Sequence, residues 1–123
     1  MLKGLSMRKL RLLGVLGFIG IWFASCASST SKSAFGPYSA GETFYKKGNY
    51  PKAIEKYQEY VAGNPQGTLA AAAGYYIAKS YVASGNAAKA RENFEQVVMQ
   101  FPETSWAAFS EEQLKSLDGT AKS

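Results

Sequence analysis

The sequence predicts an all-α fold, two antiparallel helix pairs followed by a C-terminal capping helix. Three observations predict it. The chain repeats itself after 37 residues. Within each copy, apolar residues recur three and four positions apart, as in a helix buried along one face. Glycines and prolines stand at matching places in both copies, where such helices must stop and start. A chain of 123 residues has room for one small domain of this kind.

Residues 1–25 differ from the rest. Lys3, Arg8, Lys9 and Arg11 form a basic region, Leu12 to Ala24 an apolar run, and small residues precede Cys26. This is the tripartite pattern of an export signal peptide. Met7 opens a complete basic region of its own, so either Met1 or Met7 serves as the start. As a helix the thirteen apolar residues reach about 20 Å, short of a hydrocarbon core of roughly 30 Å. Cys26 is the sole cysteine, so no disulfide forms within the chain. The alternative reading of the segment is a signal anchor that keeps a free thiol. The leader also carries most of the formal charge of +5; beyond Cys26 ten basic residues face nine acidic ones. That balance gives no electrostatic case for a nucleic-acid partner.

Residues 26–36 follow, with Ser28, Ser29, Thr30, Ser31, Lys32 and Ser33. The stretch has nothing to bury and no helical period, and it reads as a flexible tether. The folded domain is expected over residues 37–118. Sliding the chain by 37 residues aligns Gly48 with Gly85, Asn49 with Asn86, Lys52 with Lys89, Ala53 with Ala90, Tyr57 with Phe94, Pro65 with Pro102 and Ile77 with Leu114. The segment Thr68-Leu69-Ala70-Ala71 likewise aligns with Ser105-Trp106-Ala107-Ala108.

In the first copy Ala53, Ile54, Tyr57, Tyr60 and Val61 make one helical stripe, and in the second Ala90, Phe94, Val97, Val98 and Phe101 do. Gly48 and Gly85 end the preceding helices through a left-handed residue. Pro51 fits a first helical turn, and Asn64-Pro65 and Pro102 stop what came before. A longer helix is expected from Thr68 to Ser84. A last helix from about Thr104 to Leu117, built on Trp106, Phe109, Leu114 and Leu117, covers the exposed end.

Two resemblances add to this reading. Phe23-Ala24-Ser25-Cys26 resembles the lipobox of bacterial lipoproteins, with Phe23 where leucine is usual. The resemblance implies cleavage before Cys26 and transfer of a diacylglyceryl group to its sulfur, with palmitate among the acyl chains. Two or more chains hold a protein stably on a membrane. Ala27, where aspartate marks inner-membrane retention in some bacteria, implies the outer membrane, facing the periplasm.

The second resemblance is to the tetratricopeptide repeat. Small residues expected where two helices cross are Gly41 and Ala53, then Ala78 and Ala90; the aromatic positions are Phe44 with Tyr57 and Tyr81 with Phe94; Pro65 and Pro102 match the closing proline. The large residue usual early in each first helix is replaced by Pro37 and Gly74. The Ala-rich helix and Phe101-Pro102-Glu103-Thr104-Ser105-Trp106-Ala107 look like the subset in bacterial envelope proteins, the BamD-like assembly lipoproteins and the Tol-Pal-associated proteins. Those carry more repeats than two.

Catalytic chemistry finds little support. There is no histidine, and the one cysteine sits in the lipobox. Glu55 and Glu59, or Glu92 and Glu95, lie three or four residues from Lys52, Lys56, Lys89 and Arg91, which reads as a solvated, salt-bridged face. Gly63-Asn64-Pro65-Gln66-Gly67 lacks the lysine of a phosphate loop. No catalytic residue, metal site or cofactor is expected.

The resemblance implies a docking or scaffolding module for envelope proteins or peptides, tethered by lipid. In the tetratricopeptide frame the first helix of each pair lines the concave side, placing Tyr38, Glu42 and Tyr45, then Tyr75 and Lys79, toward a partner. The alternative is a structural lipoprotein that oligomerises through its unfinished repeat edge or completes an envelope complex. A third reading is an enzyme accessory with a carbohydrate or peptidoglycan ligand.

Overall fold

The computed structural model describes residues 35–122. The leader 1–25, Cys26 and the tether as far as Ala34 lie outside the described residues. Within residues 35–122 five helices follow one another: α1 Gly36–Lys46, α2 Tyr50–Gly63, α3 Ala70–Ala83, α4 Ala87–Gln100 and α5 Ser105–Ala121. Among the described residues there is no strand, and no helix is long and apolar enough to cross a membrane. The helical part thus starts one residue before the expected domain of 37–118 and runs three residues past it.

The 37-residue period reappears as matched backbone geometry. Gly48 and Gly85 adopt φ of +74° and +79°, the only positive values among the described residues. Each lets the next residue turn back: Asn49 N–H donates to Phe44 O and Asn86 N–H to Tyr81 O, both at 2.9 Å. This left-handed closure satisfies carbonyls that a helix end leaves open. The same asparagines then start the next helix, Asn49 Oδ1 accepting from Lys52 N–H at 3.4 Å and Asn86 Oδ1 from Lys89 N–H at 3.2 Å. Pro37 and Pro51 occupy first turns of α1 and α2, where no intrahelical donor is lost.

Packing follows from side-chain size. α1 lies on α2, α2 on α3, α3 on α4 and α4 on α5. Gly41 lets α1 approach α2 so closely that a Cβ there would stand 2.8 Å from the Tyr57 ring. α3 touches α2, α4 and α5, and it can do so because Ala70, Ala71, Ala72 and Ala73 are all buried and small. Gly74 marks a second close approach in this pair, where an added Cβ would stand 2.8 Å from Val97 Cγ2. Tyr57 and Phe94, equivalent in the two copies, are fully buried. Truncating an aromatic so placed costs about 3 to 5 kcal/mol.

Several expectations are corrected. α3 begins at Ala70, because residues 64–69 form turns, with Gly67 N–H on Asn64 O and Ala70 N–H on Gly67 O. The extra length of the second copy's start therefore lies in the connection as well as in the helix. Val61, Val98 and Phe101 are only half-buried. α5 is longer than expected, and Phe109 is 46% exposed rather than part of its core; Ala107 and Ser110 are the buried residues there. The salt-bridged face exists only in part. Lys56 reaches Glu59 at 2.7 Å and Glu55 at 4.0 Å, but Arg91 turns to Asp118 on α5 at 2.7 Å. Lys52 and Lys89 instead lie over the rings of Phe44 and Tyr81, each 5.5 Å from the centroid.

The outer side of α5 differs in character from that of α3. Where α3 turns Gly74, Ala78 and Tyr81 toward α4, the frame of α5 puts Glu111, Lys115 and Asp118, all exposed.

Candidate protein-binding surface

The five residues expected to face a partner do not share one environment. Tyr38 belongs to the core and is corrected accordingly: it is 8% exposed, with its ring edge-on to Tyr57 and Tyr60 at 5.4 and 5.5 Å. Burial, seconded by the nearby Glu42 carboxylate, pushes its hydroxyl up to about 12. The residue turns inward because Gly41 brings α2 close, and the nearest apolar volume then lies between the two helices. Glu42, Tyr45, Tyr75 and Lys79 are half-buried.

Tyr45 and Tyr75 are joined by three aromatic residues into a row that crosses the first helices of both pairs and the capping helix. Tyr45 on α1 meets Tyr76 on α3 at 5.3 Å, Tyr76 meets Tyr75 at 5.5 Å, Tyr75 meets Trp106 on α5 at 5.3 Å, and Trp106 meets Phe109 at 5.8 Å. Edge-on and tilted contacts at such spacings are the favoured arrangement of ring quadrupoles. Tyr50, at the start of α2, extends the row beside Tyr45 at 5.6 Å. Tyr76 also stacks on Tyr57 at 5.8 Å with an interplanar angle of 15°, which fixes the row to the core beneath it. At the other end Phe109 stands well out of it.

Two buried serines lie on the helices that carry the row. Ser80 Oγ donates to Tyr76 O and Ser110 Oγ to Trp106 O, both at 2.7 Å, so each satisfies its hydroxyl within its own helix. The hydroxyls of Tyr45 and Tyr75 are raised above the ordinary tyrosine value. Burial is the main cause for both, followed by Tyr50 and Tyr76 for the first, and by Tyr76, Tyr45 and Glu112 for the second. Both stay neutral at physiological pH and offer a donor at the tip of a rigid apolar ring. Among the described residues no group of His, Cys, Asp or Glu is arranged to hold a metal ion.

The helical frame that carries this row has a counterpart among known families. The tetratricopeptide-repeat family model matches residues 72–104, from the first turn of α3 through α4 to the residue that caps α5. The chain contains a tetratricopeptide repeat. No curated protein matches the chain.

The matched repeat has its small residues Ala78 and Ala90 fully buried at the α3–α4 crossing beside Phe94. The first pair copies it, with Gly41 and Ala53 at the crossing beside Tyr57. Tetratricopeptide repeats bind other proteins, and the row of rings lies on the first helix of each repeat. Residues 38, 42, 45, 75 and 79 were reached by counting from the crossings. That count misses Tyr76, because its equivalents one period away are Ser39 and Gln113. The visible signal was the Tyr75-Tyr76 pair inside an alanine-rich helix, too close together for both rings to enter one stripe. Trp106 and Phe109 were visible as aromatics, but their assignment to a cap core hid their part in the row.

Proposed function

We propose that this chain is a protein-docking module of the bacterial envelope, tethered through lipid on Cys26 and facing the periplasm, that receives its partner on the aromatic row of α1, α3 and α5. The row itself carries the reading. Tyr45, Tyr76, Tyr75, Trp106 and Phe109 are in continuous ring contact, half-buried or exposed, and Tyr76 is stacked on the buried Tyr57. Aromatic side chains fixed in this manner give large contact area at small entropic cost, which is why they dominate binding energies at interfaces. The envelope assignment rests on the leader and on the lipobox resemblance.

Two experiments test it. A photo-crosslinking amino acid placed at Phe109 or Tyr45 is expected to capture a protein in cells, whereas one at the exposed Glu95 of α4 is not; capture from Glu95 alone refutes the face. Cys26→Ser is expected to abolish lipid labelling and leave the precursor unprocessed, and unchanged labelling refutes the tether.

A further inference from the structure

Charge is sorted between the two ends of the helices. α1 ends where α2 begins, with Tyr45 against Tyr50 and Lys52 over Phe44; α3 ends where α4 begins, with Lys89 over Tyr81; and Arg91 near the start of α4 reaches Asp118 near the end of α5. α2 and α3 pack on each other across the connection 64–69, Tyr57 in the second half of one stacked on Tyr76 in the first half of the other, so the two pairs present the same end. That end gathers every cation among the described residues. Lys46 and Lys47 close α1, Lys52 and Lys56 stand in the first half of α2, and Lys79 stands in the second half of α3. Lys89 and Arg91 stand in the first half of α4, Lys115 and Lys122 toward the end of α5. Against these nine cations the same halves hold four carboxylates, Glu42, Glu55, Glu92 and Asp118. The opposite halves, with the connections between them, hold no Lys or Arg and five carboxylates, Glu59, Glu95, Glu103, Glu111 and Glu112. A domain that is balanced as a whole thus has a formal excess of five positive charges at one end and of five negative charges at the other.

The basic end is open to solvent. Lys46, Lys47, Lys52, Lys89 and Lys122 are exposed, and none makes an ion pair among the described residues. The chain toward Cys26 leaves from the other end, since Phe35 caps the start of α1. The nine residues from Cys26 to Phe35 span at most about 30 Å, whereas α2, with 14 residues, is about 21 Å long. The connection is therefore long enough for the basic end to turn back to the surface that holds Cys26.

We propose that the basic end docks on an anionic lipid surface, that of the membrane to which the chain is attached, with the acidic end turned away from it. Such a surface attracts the lysines and repels the carboxylates of the opposite halves, so both ends favour the same orientation. The attachment keeps lipid within reach, and an attraction too weak to hold a free protein is then sufficient. Phe109, in the first half of α5, stands at the outward end and stays accessible. The proposal rests on the membrane tether of the preceding section and does not depend on the partner's identity.

The test uses the full chain, made in a bacterium that processes lipoproteins and reconstituted into vesicles of phosphatidylcholine alone or mixed with phosphatidylglycerol. A fluorescent amino acid replaces Ala88 at the basic end or Gln66 at the acidic end, both exposed, and energy transfer to a labelled lipid is read. Phosphatidylglycerol is expected to raise transfer from position 88 by about twofold or more and to lower it from position 66. Salt at about 1 M, where the screening length falls to about 3 Å, is expected to cancel both changes. Lys46→Gln, Lys47→Gln and Lys122→Gln together are expected to remove the gain at position 88 with the melting temperature kept, whereas Glu103→Gln leaves it. Equal transfer from position 88 in the two kinds of vesicle overturns the proposal, as does a gain that survives the triple substitution. The mass at Cys26 reads the tether separately: a precursor without lipid overturns the lipid anchor, and, held in the vesicle by its uncleaved leader, it is read by the same two probes.

Discussion

Replacing Gly41 by alanine adds a single methyl group at the tightest helix crossing of the first repeat. The new Cβ would stand 2.8, 2.9 and 3.0 Å from Cδ1, Cε1 and Cγ of Tyr57. Ordinary carbon contacts lie at about 3.5 to 4.0 Å, so ring and helix must part by roughly 0.7 Å. The ring has nowhere to go, since Tyr57 is fully buried, edge-on to Tyr38 and stacked on Tyr76. Alanine is favoured over glycine inside a helix by about 1 kcal/mol, whereas overpacking costs about 1 to 3 kcal/mol. The overpacking wins. The expected net loss is about 1 kcal/mol, or about 4 to 8 °C in melting temperature for a domain of this size. The comparison is Gly119→Ala in α5, where nothing lies within 4 Å of the added methyl. There only the propensity acts, and a gain of up to about 1 kcal/mol is expected. Thermal melts followed by far-ultraviolet circular dichroism decide the matter. If Gly41→Ala melts at or above the parent while Gly119→Ala is stabilised, the crossing is not tight and the repeat geometry around Tyr57 is wrong.

Ala90→Leu, at a fully buried crossing position, is expected to lose about 1 to 3 kcal/mol in denaturant titrations, while Lys56→Ala stays within roughly 0.5 kcal/mol. Arg91→Ala removes a part-exposed ion pair between α4 and α5, so its melting midpoint should fall by the equivalent of about 0.2 to 1 kcal/mol at low salt and by less at high salt. Alkaline titration should unfold the chain. Tyr38 keeps its proton up to about 12 in the folded state against 10.0 ordinarily, so its contribution is complete below pH 10.0 and is lost as pH rises toward 12. The loss from Tyr38 is about 2 to 3 kcal/mol, and tyrosinate absorbance that rises at the ordinary pH without any unfolding step would contradict its burial.

The repeat was legible because its rules are local. Gly48 and Gly85 announce a left-handed closure, and both form as read; the caps made by Asn49 and Asn86 directly after them are seen only in the structure. The stripes of α2 and α4 were legible because each packs along one face, with Ala53, Tyr57, Ala90 and Phe94 at its centre. α3 was harder. It is enclosed on several sides, so its alanines show no stripe, and its start at Ala70 depends on turn hydrogen bonds around Gly67 that periodicity does not encode. The proposed binding surface was legible only in part for a related reason. Whether Tyr38 points to solvent or inward depends on how closely α2 approaches, and that is set by Gly41 in three dimensions. Phe109 looked like core because it is large and apolar, and no neighbour along the chain revealed that α4 leaves it uncovered.

The charged outer side of α5 bears on what keeps stacked repeats from growing without end. A repeat unit presents one surface ahead and a complementary one behind, so copies joined head to tail generate an open filament rather than a closed ring unless the rotation happens to close. Such addition would seat a new helix where Glu111, Lys115 and Asp118 stand in place of Gly74, Ala78 and Tyr81. An incoming helix would have to strip water from three ionic groups, one of them already committed to Arg91, with no crossing small enough to admit it. Those charges disfavour a further helix packed on this side. They matter most if the protein is crowded on a lipid surface, where neighbouring copies meet often and a sticky leading edge would assemble fibres.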